Sequence, residues 1–153
     1  MSSLLLAIGY QNWILHVLLL LPLLGIVPIL AGSPGTAKRT ALVLTLLELV
    51  LSLGLWWAVD TRPGTLQLAV SIPWIPAWGI SYAVGIDGIS LTMVLLTTLL
   101  MPLCVLGSWN YIAERERGYY ALLLTLLSGV IGVFVATDLF LFYVFWELML
   151  IPM

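Results

Sequence analysis

Two glutamates, one aspartate and one tyrosine are the residues of this 153-residue chain whose types and settings suit proton chemistry. Glu147 stands in "FYVFWELMLIP", among bulky apolar residues, and Glu48 stands in "LTLLELVL". A carboxyl near the centre of a membrane helix costs about 3 kcal/mol or more, so each one is a functional candidate. Desolvation favours a neutral acid and a nearby cation favours the carboxylate. A group held between the two takes up and releases protons near neutral pH, which is the work of a relay. The competing role for Glu147 is an ion-pair strut between helices, although buried pairs stabilise poorly against apolar replacements. Tyr143, four residues earlier on the same helical face, is either its hydrogen-bond partner or a packed aromatic. Glu48 is either a second relay group or a neutral acid facing other helices. Asp138, in "ATDLFLF", and Asp87, in "GIDGIS", each precede an apolar run, where aspartate caps free backbone N–H groups. Asp138 could also feed protons at a helix mouth.

These groups need helices to position them. The chain is 63% hydrophobic and 8% charged, with mean hydropathy +1.19, which places it in a bilayer. A span needs about 20 apolar residues. Such segments run from Trp13 to Ala31, Thr40 to Val59, Gly88 to Ser108 and Gly118 to Ala136. A fifth begins near Leu139 and is still running at Met153, so the chain reads as the N-terminal part of something longer. The first Lys or Arg is Lys38, so the first segment lacks the basic start of a signal peptide. Lys38 and Arg39 in the first loop, with Arg115 and Arg117 after the third helix, fall on one side, and Arg62 on the other. The positive-inside rule then puts the N-terminus outside. The "ERER" run, 114–117, reads as a solvated loop. Trp13, Trp56, Trp57, Trp109, Tyr119 and Tyr120 form interfacial belts at helix ends.

"TLQLAVSI" and "ISYAV" alternate with period two around "PWIPAWG", which predicts a β-hairpin on the outer face over about 65–84. His16 reads as a polar tip at the outer interface. Ser128, Gly132 and Ala136 recur every four residues, a spacing that lets helices approach closely. The single cysteine, Cys104, can form no internal disulfide and reads as a small packing residue. No nucleotide loop, zinc spacing or nucleophile–base pair appears, and no basic patch suits nucleic acid. The chain is expected to hold no redox cofactor or metal of its own.

The stretches "YAVGIDGISLTMVLLTTLLMPLCVLGSW" and "DLFLFYVFWELMLIPM" resemble the subunit M, or chain 4, family of NADH–quinone oxidoreductase, respiratory complex I. The resemblance implies an all-α, multi-helix, antiporter-like bundle with an outer-face hairpin. Residues 1–117 would be three leading helices, and 118–153 the start of the first antiporter-like repeat. It implies a proton-translocating subunit, with the "FWE" glutamate, here Glu147, facing a lysine on a later helix. NADH, FMN, iron–sulfur clusters and quinone would belong to partner subunits. The other partners implied are neighbouring membrane subunits and the lipid of a bacterial inner membrane. The alternatives are a subunit of a sodium–proton antiporter and a structural membrane scaffold.

Overall fold

The computed structural model describes residues 9–60, 66–112 and 114–153. Helix α1 is Tyr10–Ala31, α2 is Pro34–Leu53, and the short α3 is Leu55–Ala58. Strands β1, Gln67–Ile75, and β2, Ile80–Ile86, follow, then α4, Gly88–Gly107, α5, Glu116–Val135, and α6, Leu139–Leu150. Among the described residues, four helical spans, with α2 and α3 counted as one, are long and apolar enough to cross a membrane. The chain is a multi-pass membrane protein.

α2 starts at Pro34, not at Thr40, so Lys38 and Arg39 lie on the helix rather than in a loop. Ser33 in extended conformation followed by proline as the first helical residue sets that start. The Lys38 ammonium rests 5.3 Å above the Trp109 ring. α5 likewise takes in Glu116 and Arg117, so half of the "ERER" run is helical rather than loop. The Arg117 guanidinium donates to the carbonyls of Leu30 and Gly32 at the end of α1, where a cation offsets the helix dipole. α1 begins at Tyr10, one turn before the expected Trp13, after Gly9 in left-handed conformation. α6 ends at Leu150.

α1 packs against α2 and α5, α2 also against α4 and α5, and α6 against α5. Ile14 and Leu18 of α1, Leu91 and Val94 of α4, and Leu124, Leu127 and Ile131 of α5 form the core. Opposite faces, with Leu24, Val27, Val50 and Leu103, stay exposed. Lipid tails are as apolar as these side chains, so burial alone does not hold such helices together. Close approach and interhelical hydrogen bonds do. Ser128 donates to the Leu19 carbonyl at 2.7 Å, and the hydroxyls of Ser52 and Thr98 lie 2.7 Å apart. Tyr120 is fully buried, so it belongs to the core rather than to an interfacial belt. Cys104 is exposed on α4, contrary to a packing role.

The hairpin forms where alternation placed it, with longer strands. β1 runs on through Pro73, Trp74 and Ile75, and a short 3₁₀ turn, Pro76–Trp78, leads to Gly79 at φ 68°. A two-stranded sheet has an outer edge on each strand, which is where proline is tolerated. Val70 pairs with Val84 and Ile72 with Tyr82. Strict alternation fails near Leu68, at φ 52°, where the register shifts between Gln67 and Val70. Thr65 and Arg62 lie outside the described residues. β2 is stitched to the α5–α6 link: Thr137 N–H donates to the Ala83 carbonyl at 2.9 Å, and Val84 bridges Ala136. His16 Nδ1 lies 2.8 Å from the Tyr82 hydroxyl, so α1 holds the same strand. His16 is therefore a hairpin contact and not only an interfacial tip.

Candidate functional site

Asp138 starts α6. Its Oδ1 accepts from Phe140 N–H at 2.9 Å and Leu141 N–H at 3.1 Å, and its Oδ2 accepts from Ser81 N–H of β2 at 3.2 Å. These bonds, the one from Leu141 foremost, hold its carboxyl below the usual carboxylate range. Asp87 caps α4 through Ser90 N–H at 2.8 Å, which lowers its carboxyl in the same way.

From Asp138, α6 runs across α5, and two glycines set its rotation. A Cβ at Gly132 would lie 2.2 Å from the Phe145 ring, and one at Gly129 would lie 2.9 Å from the Met149 backbone nitrogen. Phe145 and Met149 therefore face α5. Glu147 lies between them in sequence, about 200° around the helix from Phe145, so it faces away. It is exposed, beside exposed Tyr143, Val144 and Trp146. Its depth is about 12 Å from Leu139 at 1.5 Å per residue. The Tyr143 hydroxyl interacts with the Glu147 carboxyl one turn on. At the top of the same face a cleft of about 580 Å³ opens between hairpin and helix, lined by Trp78, Ile80, Asp138, Phe142 and Tyr143. Asp138 and Tyr143 thus share a cleft mouth, with Glu147 one turn beyond it.

Glu48 is placed apart from this group. It is 1% exposed, on the face of α2 that also buries Ala41, Thr45 and Ser52. Neither carboxyl oxygen has a hydrogen-bond partner among the described residues. The hydroxyls of Thr45, Ser52 and Thr98 around this face were not singled out from sequence. The i, i+3, i+7 spacing of Thr45, Glu48 and Ser52 was the available signal. Among the described residues, no three of His, Cys, Asp and Glu converge as metal ligands.

A family model described as NADH-ubiquinone oxidoreductase chain 4, amino terminus, matches residues 17–134. The chain belongs to this family. NADH-quinone oxidoreductase subunit M of Escherichia coli K12 is 42% identical over 151 residues, covering 88% of this chain and 30% of its own length. The F(420)H(2) dehydrogenase subunit M of Methanosarcina mazei is 36% identical over 137 residues, covering 89% and 28%. Among solved structures, a chain of respiratory complex I from Thermus thermophilus with bound NADH superposes at TM-score 0.74 with 30% identity, over 90% of this chain and 27% of that one. A chain of the Mrp complex from Dietzia sp. reaches TM-score 0.74 at 18% identity, over 90% and 15%, which is a likeness of fold. The chain spans less than a third of the length of these relatives. The fold is that of the antiporter-like membrane subunits, as the sequence motifs implied. Of the chain 4 match, Glu48 and Asp87 lie inside the matched stretch, and Asp138, Tyr143 and Glu147 lie beyond it.

Proposed function

We propose that this chain works in a proton-translocating membrane subunit of an NADH–quinone oxidoreductase, with Glu147 as a proton relay. The observation that carries the reading is the rotation of α6. Phe145 and Met149 dock on glycines of α5, and this leaves a carboxylate on the outward face of an apolar helix. A carboxylate buried only for packing would turn inward. One that exchanges protons with a group beyond these helices must face outward, toward the cation that sets its charge. Tyr143 one turn earlier can hold the Glu147 proton by hydrogen bond, and Asp138, fixed as a carboxylate at the cleft mouth, attracts protons toward it.

NADH oxidation through FMN and iron–sulfur clusters, and quinone reduction, take place in partner subunits on this reading. Residues 118–153 open an antiporter-like repeat, and 1–117 lead into it. The membrane is a bacterial inner membrane, with Lys38, Arg39, Arg115 and Arg117 on the cytoplasmic side and Tyr10 on the outer side. The fold shared with the Dietzia Mrp chain keeps sodium–proton antiport as the second reading. Inverted membrane vesicles from cells with and without the full-length gene separate the two. Proton uptake driven by NADH that disappears with the gene and is indifferent to sodium supports the proposal. Uptake that persists without the gene, or pH exchange that requires sodium and not NADH, overturns it.

A further inference from the structure

We infer that Tyr10 is a positioning residue: its hydroxyl holds the turn at Gly54 that aims α3 at the hairpin, and through the hairpin it places Asp138 at the mouth of the cleft. Its effect on proton transfer rests on the proton-translocating reading above; the placement of Asp138 does not.

The route starts at a fault in an apolar helix. α2 stops at Leu53 and α3 resumes at Leu55, although both lie in one apolar span, Gly35–Ala58. Gly54 stands between them at φ −60° and ψ −26°, the dihedrals of a 3₁₀ turn. Its N–H donates only three residues back, to the Leu51 carbonyl, at 3.2 Å. In a regular helix that carbonyl serves the N–H four residues on. A carbonyl drawn off its helical ladder inside a membrane needs a donor from the protein, because lipid offers none. The Tyr10 hydroxyl, from the first residue of α1, donates to Leu51 and supplies it. The fit is close. Tyr10 is buried, and its ring meets Trp13 edge-on at 5.5 Å. A Cβ at position 54 would stand 2.5 Å from the Tyr10 hydroxyl, so glycine is what admits the ring. Just before the turn, the Ser52 and Thr98 hydroxyls, 2.7 Å apart, hold α2 to α4.

Beyond the turn, each contact on the way to Asp138 is a hydrogen bond in the structure. α3 ends at Ala58, and Asp60 N–H donates to the Gln67 side chain at 2.8 Å, while the Gln67 amide donates back to the Asp60 carbonyl. Gln67 opens β1, and β1 pairs with β2 as far as Ile75 and Ile80. β2 gives its Ser81 N–H to Asp138 Oδ2 at 3.2 Å, and its Ala83 carbonyl accepts Thr137 N–H at 2.9 Å. His16, six residues after Tyr10 on α1, is bonded to Tyr82 of the same strand. α1 therefore grips the hairpin at two points, directly through His16 and by way of α3 through Tyr10. Asp138 takes its place from a hairpin whose first strand is delivered by the turn at Gly54. A change at Tyr10 reaches Asp138 without touching it.

Tyr10→Phe in the assembled full-length complex tests this, because it removes one hydroxyl and keeps the ring. Hydrogen exchange read by mass spectrometry follows the route, and protons taken up per NADH oxidised by inverted vesicles follow the site. The amides of 55–60, of β2 and of Thr137 should exchange about threefold faster than in the native protein. Protons per NADH should fall. Thr98→Val, which loosens α2 from α4 but leaves the Tyr10 bond in place, should not change that ratio. Faster exchange that stops at α3 overturns the route to the hairpin. An unchanged ratio, even where both rates fall together, overturns the positioning role and leaves the Tyr10 bond as packing. If Tyr10→Phe does not assemble, Gly54→Ala displaces the same ring and is read in the same way. Failure of the proton-translocating reading would show separately, as NADH oxidation without proton uptake in the native complex, and hydrogen exchange would still decide the route.

Discussion

The Phe145 ring fills the space that a side chain at position 132 would occupy, 2.2 Å from where that Cβ would stand. This contact fixes the rotation of α6, and with it the outward direction of Glu147. A small residue on one helix thereby aims a carboxyl on the next.

Gly132→Ala is therefore expected to push α6 off α5. Overpacking of this kind costs about 1–3 kcal/mol. The thermal midpoint of the purified full-length complex should fall by several degrees. Proton uptake should fall as well, although Glu147 is untouched. Gly35→Ala, where nothing stands within 4 Å of a Cβ, serves as the control and should change neither.

Asp138 joins two elements at once, capping α6 and accepting from Ser81 of the hairpin. Asp138→Ala is expected to loosen both, and Asp138→Asn to keep most of the cap, since asparagine accepts equally well there. The pH dependence has a defined sign. Its folded-state carboxyl is lowered, chiefly by Leu141 N–H, so its contribution is present above the usual aspartate range. It is lost as pH falls through the lowered value. Thermal melts below about pH 4 should show a loss in the native protein that Asp138→Asn does not share.

The bond between His16 and Tyr82 anchors the hairpin to α1. Burial raises the Tyr82 hydroxyl above the ordinary tyrosine range, so it stays a neutral donor or acceptor through physiological pH. Tyr82→Phe should cost about 1 kcal/mol. Protease added to the side of the membrane that carries the hairpin should then cut it faster than in the native protein. Equal cutting rates would mean that the stitching of β2 to Thr137 and Asp138 holds the strand alone.

Spans, caps and hairpin were legible in the sequence because each follows from a local rule. Four apolar runs of span length could be nothing else in a chain with 8% charge. Asp87 and Asp138 each stood just ahead of such a run. The faces of the helices were not legible. A helix that is apolar all round has no stripe to say which side is inward. Glu48 and Glu147 looked alike in sequence, yet one is sealed inside the bundle and the other is presented outward. What separates them is distant in the chain: Gly129 and Gly132 turn α6, and the packing of α1, α4 and α5 closes over Glu48. Ser33 and Pro34, rather than the apolar run, set the start of α2, so Lys38 and Arg39 lie on the helix and not in the loop that their charge suggests. Ser128 and Gly132, one turn apart, serve different neighbours: Ser128 bonds the Leu19 carbonyl of α1, and Gly132 admits Phe145 of α6.

The hydroxyl pair of Ser52 and Thr98 offers a smaller test of the bundle. Thr98→Val removes the interhelical bond with little change in shape. Such bonds between membrane helices average about 0.6 kcal/mol. The melting midpoint should drop slightly. Ser52→Ala combined with Thr98→Val should add less than the sum of the two, because the pair shares one bond.

The most direct measurement is NADH-driven proton uptake by inverted vesicles carrying Glu147→Gln in the full-length gene, with assembly checked on a native gel. A positioned acid–base group contributes about 10² to 10⁴ in rate. Uptake is expected to fall by about tenfold or more in a complex that assembles normally. Native uptake rates in an assembled Glu147→Gln complex would contradict it and leave Glu147 as a strut.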